Sequence, residues 1–135
     1  MKKKPDLEAL KLKAARLLGR IRDLEEKERD EIARPKLRAS VGRCFVFDNS
    51  YGPGERWPLY AKIVSFNEQT MTFNTIQIQH TSRKELRFNY DVNYCYEGKS
   101  YFAGHDWKEI PAKQFDNVAK NALSWVETLV KKGTL

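Results

Sequence analysis

Cys44, Cys95 and His105 are the side chains of this chain best suited to hold a metal ion or to attack a substrate. Thiolate and imidazole are common zinc ligands and common partners in covalent catalysis. Their placement argues against both uses. The three are scattered, without the short spacing that brings ligands together, and no third group is placed to orient a Cys95–His105 pair. Cys95 also falls on the polar side of its strand's alternation. His80 stands among polar residues. Asp48, Glu55, Asp91, Asp106 and Glu109 form no distinctive carboxylate pair for acid–base work. The chain contains no GxSxG, P-loop, HExxH or CxxC motif. Both cysteines are therefore read as small apolar strand residues. No enzyme, metal or cofactor is expected.

Residues suited to recognition are more prominent. The stretch 48–58 is long for a hairpin connection and is shaped by Gly52, Pro53 and Gly54. Within it Tyr51, Arg56 and Trp57 offer aromatic faces and a guanidinium, a set that suits a base, a ribose phosphate or a protein hot spot. Arg83, Lys84 and Arg87 form a second candidate, beside a strand face bearing Asn89 and Asn93. The formal net charge of +7 permits contact with phosphates without requiring it. It excludes a nucleic-acid mimic, which needs a strongly acidic surface. The tyrosines Tyr90, Tyr94 and Tyr96 are read as core rather than as a stacking platform.

A long helix over 6–34 stands in front of these residues. Leu7, Ala14 and Ile21 fall at a positions of a heptad, and Leu10, Leu17 and Leu24 at d. Asp6 suits the helix start, and Arg34-Pro35 is expected to end it. The charges favour pairing of two such helices in either direction. In a parallel pair Asp6 faces Lys11 and Arg20 faces Glu25, whereas an antiparallel pair lays the basic 1–22 along the acidic 23–31. The expected domains are a coiled-coil helix over 1–36 and a body over 41–135.

From Val41 the apolar period becomes two. Strands are expected over 41–48, 59–66, 71–79, 86–96 and 101–107, with a bulge near Asn74-Thr75 to bring Met71, Phe73, Ile76 and Ile78 to one side. The expected fold class is α+β: the helix, then about five antiparallel strands curled into an SH3-like barrel, then a helix that closes its open end. That last helix follows Pro111, carries Phe115, Val118, Ala122, Val126 and Leu129 on one face, and stops at Gly133. Mean hydropathy of −0.69 and the absence of a long apolar run argue against a membrane span. Met1 is followed by three lysines, so no secretory signal is expected, and both thiols are read as reduced.

The runs Val41-Gly42-Arg43-Cys44-Phe45-Val46-Phe47, Asn49-Ser50-Tyr51 and Trp57-Pro58-Leu59-Tyr60-Ala61-Lys62-Ile63 resemble a loose class of small phage and prophage proteins. That class pairs such strand signatures with a tail helix introduced by an EI-x-x-x-x-F pattern, matched here by Glu109-Ile110 and Phe115. Its N-terminal coiled-coil helix ends in a sequence similar to Ala33-Arg34-Pro35. The resemblance implies a cytoplasmic protein of a host bacterial cell, in a class that includes inhibitors of host defence such as anti-CRISPR proteins. It carries over no functional residues. The resulting expectation is a non-catalytic homodimer, or higher oligomer, that occludes a host defence protein or its nucleic-acid complex. The alternatives are a sponge for an immune cyclic nucleotide and a direct nucleic-acid-binding module.

Overall fold

The computed structural model describes residues 6–47, 58–80, 86–104 and 106–133. In chain order it holds α1 (Leu7–Ala39), β1 (Cys44–Phe47), β2 (Leu59–Asn67), β3 (Thr72–His80), β4 (Leu86–Tyr94), β5 (Trp107–Ile110) and α2 (Ala112–Lys131). A 3-10 turn, Tyr96–Gly98, follows β4.

α1 begins where Asp6 caps it: the carboxylate accepts hydrogen bonds from the backbone N–H of Glu8 (3.1 Å) and of Ala9 (3.4 Å). It does not stop at Pro35. Proline inside a helix costs about 3 kcal/mol or more, through a lost hydrogen bond and a ring clash. Tertiary contacts offset that cost, because the turns around Pro35 are the ones that dock. Ala33 and Leu37 are buried in the core. Arg34 donates from Nε to the Glu68 carbonyl at 3.3 Å, and Arg38 forms an ion pair with Glu68. The chain leaves the helix through Gly42, whose φ of +91° suits a residue without a side chain. The Gly42 N–H then donates to the Ile63 carbonyl at 2.8 Å, which leads directly into the sheet.

The five strands form one antiparallel sheet in the order β4-β3-β2-β1-β5. β1 to β4 meander by neighbour pairing, and the chain returns to add β5 beside β1. The sheet is open: β4 and β5, the strands that would have to meet in a barrel, lie at opposite edges. The β2–β3 turn is held by Asn67, whose side-chain oxygen accepts from the N–H of Gln69 (3.0 Å) and Thr70 (3.3 Å).

Both faces of the sheet are covered, and that accounts for several differences from the sequence reading. On one face Ala33 and Leu37 of α1 pack with Phe45, Ala61, Ile63, Met71, Phe73, Cys95 and Phe102. On the other, Phe115 and Ala122 of α2 pack with Cys44 and Ile78, flanked by Ile76, Val118 and Ala119. α2 thus covers a sheet face rather than closing a barrel end. Met71 and Phe73 are buried on one side of the sheet, Ile76 and Ile78 on the other, so plain alternation along β3 suffices. The register shift lies instead in β2, between Ile63 and Ser65, and lets Phe66 join Ile63 on the α1 side.

The expected strand 101–107 is also displaced. Tyr101 and Phe102 lie in a turn, and β5 starts only at Trp107. Phe102 is buried there because its ring stacks on Phe45, with centroids 4.5 Å apart, and meets Trp107 edge-on at 4.9 Å. Gly98 sits beneath α1. A Cβ at that position would lie 3.1 Å from the Ala33 Cβ, so the two small residues permit the close approach that docks the helix. At the other end of the chain Gly133, with φ of +67°, ends α2 as expected.

Candidate functional site

The most prominent exposed feature is the free part of α1. Its seam residues Leu7, Leu10, Leu17, Ile21 and Leu24, with Leu18 beside them, are each between 51% and 62% exposed. Ala14, also on the seam, is exposed too. The direction of the seam follows from helix geometry. At 100° per residue the a and d positions centre about 150° around the helix from Ala33 and Leu37, the residues that dock. The seam therefore points away from the protein's own sheet. Among the described residues it meets no intrachain surface on which to fold flat.

A second apolar surface lies on the α2 side of the sheet. Phe88, Tyr90, Val92 and Tyr94 of β4 are 48–63% exposed, and Tyr96 just beyond them is 72% exposed. The expectation that the tyrosines are core is thus overturned. Their alternation is real, but β4 is an edge strand, and α2 lies over β2 and β3 and does not reach across it. Between α2 and this strip runs a groove of about 220 Å³, floored by Ile76 and Ile78 and walled by Leu86, Phe88, Leu123 and Val126. Its lining is wholly apolar, so it fits an apolar side chain and offers no donor to a phosphate. Past the end of β4 the rings of Tyr94 and Tyr96 stand 6.0 Å apart, beside a cleft that also contains Lys99 and Tyr101.

The opposite face of β3 and β4 carries a polar cluster. The Thr75 hydroxyl donates to Asn93 Oδ1 at 2.6 Å and accepts from Gln77 Nε2 at 3.3 Å. All three residues are buried, so Asn93 is a satisfied interior residue and not part of an exposed basic surface. Arg87 is exposed on β4. Tyr51, Arg56, Trp57, Arg83, Lys84 and His105, on which parts of the sequence reading rest, lie outside the described residues.

The two thiols are separated by the sheet. Cys44 packs on the α2 side and Cys95 on the α1 side, where it is buried among apolar residues although Asn93 lies on the same side of the chain. Both are free. Burial pushes the Cys44 thiol up from its usual value; Lys62 opposes this, while Asp116 and Glu109 add to it. Burial likewise raises Cys95, against a hydrogen bond from the Tyr101 backbone. A thiol held protonated is a poor nucleophile and a poor metal ligand. No group of three or more potential ligands converges among the described residues. Neither cysteine of the folded protein is expected to react appreciably with iodoacetamide at pH 7, and urea should expose both. Because the folded state holds these protons more tightly, their contribution to stability is present at neutral pH. It is lost as pH rises past the ordinary thiol value of about 8.5 and on through the raised folded values. Fast alkylation of the native protein at pH 7 would contradict this assignment.

No family model, curated protein or solved structure matches the chain. No described helix is long and apolar enough to cross a membrane.

Proposed function

We propose that this chain is a non-catalytic binding protein that pairs through α1 as a coiled coil and presents its body to a partner. The partner class is that of the phage counter-defence proteins its sequence resembles: a host defence protein or its nucleic-acid complex. The observation that supports the reading best is the exposed apolar seam of α1, directed away from the body. Continuous exposed apolar surface of this kind marks association sites in soluble domains. A paired rod would hold two copies of the binding surface on one particle, which strengthens attachment to a repeated or two-fold target.

The test is functional. Expression of the full chain in bacteria carrying a defence system should restore plating of a phage that the system otherwise blocks. Replacing Arg56 and Trp57 together by alanine should remove that gain while circular dichroism stays native. Plating left unchanged across a panel of defence systems would reject the counter-defence role.

A second reading is favoured by the tyrosines near the end of β4. Tyr94, Tyr96 and Tyr101 beside Lys99 form the combination of flat rings and positive charge on which single-stranded bases stack. Under that reading, retention on single-stranded nucleic acid falls steeply with salt. Retention that is absent or insensitive to salt excludes it.

A further inference from the structure

We infer that β4 is a self-pairing edge: two copies of this chain join antiparallel along it, with Arg87 of each opposite Asp91 of the other. This surface is distinct from the α1 seam.

Among the described residues nothing covers the outer edge of β4. β4 is bonded to β3 on one side and has no strand on the other among the described residues. A free edge presents a row of backbone donors and acceptors that template a further strand. Soluble proteins guard such edges with brevity, proline, charged side chains (lysine above all), bulges or a covering element. β5, the other edge, is four residues long and carries Lys108 and Glu109. β4 runs nine residues, Leu86–Tyr94, with no proline, glycine or lysine, and its two charges, Arg87 and Asp91, are of opposite sign and so do not repel a second copy. Its register against β3 is unbroken along the whole length, so no bulge bends it away.

β4 is also self-complementary. A two-fold axis across an antiparallel edge pairs residues placed symmetrically about one central residue, and every contact occurs twice. Centring on Asn89 sets Arg87 against Asp91, Phe88 against Tyr90 and Leu86 against Val92. Each pair is of a type that stabilises neighbouring strands: opposite charges, two rings, two aliphatics. The strand's own sequence selects this register. A slip that pairs odd with even positions would set the aromatic face of one copy against the polar face of the other. Centring on Tyr90 instead leaves both charges opposite asparagines. Asp91 already accepts from the Val92 N–H at 2.9 Å, and a carboxylate has acceptor positions left for a guanidinium.

Pairing along β4 also buries apolar side chains. Phe88, Tyr90 and Val92 lie exposed on the edge strand itself. The same pairing that satisfies the backbone edge brings these side chains together across the new strand boundary.

The test uses the full chain with Leu17→Lys and Leu24→Lys, which disable the α1 seam so that any remaining dimer reports on the edge. Sedimentation should still show a dimer. Arg87→Asp or Asp91→Arg in that background places like charges opposite each other twice, and should raise the dissociation constant about tenfold or more. The double exchange R87D/D91R should restore pairing. A mixture of the two single variants should form mixed dimers in which both ion pairs are re-formed, one in the native sense and one reversed. Amides of β4 in the unsubstituted protein should gain hydrogen-exchange protection as concentration rises. A monomeric seam-disabled chain, single variants that pair as well as their parent, or a double exchange no better than the singles would each overturn the inference. Failure of the seam would show separately, as an assembly indifferent to the two leucines.

Discussion

Replacing Leu10, Leu17 and Leu24 by lysine is expected to abolish the α1-mediated association while leaving the unfolding of the sheet body unchanged. In the monomer these three side chains are already more than half exposed, so lysine there disturbs no part of the buried core. In a paired rod each would be buried at a d position. Burial of a leucine is worth about 1.5–3 kcal/mol, and three are removed from each of two chains. Even a fraction of that sum raises the dissociation constant about a thousandfold, which corresponds to about 4 kcal/mol. Sedimentation equilibrium over a concentration series measures the change directly. A second readout follows from the isolation of the free part of α1. Without a partner that segment has only its own propensity and the Asp6 cap, and unsupported helices of this length are marginal. The variant should therefore also lose helical circular dichroism, while aromatic signals from the body persist. An unchanged particle mass would remove the coiled coil from the account.

The largest intrachain effect is expected from Phe73→Ala. Phe73 has no exposed surface and lies between Phe66, 5.6 Å away edge-on, and Phe102, 6.2 Å away. Phe102 in turn stacks on Phe45 and abuts Trp107, so Phe73 belongs to a connected set of rings in the α1-side core. Truncation to alanine should cost about 3–5 kcal/mol, the sum of lost transfer energy and a cavity that rigid neighbours cannot close. Against a total stability of about 5–15 kcal/mol, that is a large share. Urea titration should show the midpoint falling with little change in slope. Phe88→Ala is the control. A ring of the same type, but 59% exposed on the edge strand, should cost no more than about 0.5 kcal/mol in the monomer. Equal losses at the two positions would contradict the assignment of β3 to the interior and β4 to the edge.

The contrast between Phe73 and Phe88 also marks how much of the fold is legible in the sequence. Both sit in alternating apolar runs, and alternation says only that one side of a strand differs from the other. It does not say whether that side is covered. Cover depends on where the strand falls in the sheet order and on how far a helix reaches, and both arise from distant parts of the chain. For the same reason Met71 and Phe73 were expected to share a face with Ile76 and Ile78. A single covering layer would require that, whereas two layers make it unnecessary. Of the candidate contact residues, only Arg87 and the α1 seam fall on described structure, and both are exposed. Asn93 does not face solvent, because it completes a buried network with Thr75 and Gln77.

Local rules were enough for the start of α1 at Asp6, for the hairpin turn at Asn67 and for the stop of α2 at Gly133. Each depends on a side chain acting on backbone a few residues away, or on the period of a single element. The end of α1 beyond Pro35, the open two-sided sheet, the burial of Cys95 and the bare face of β4 were settled by assembly. In each of these cases a contact between residues far apart in the chain outweighed, or left unfulfilled, what the nearest neighbours favoured.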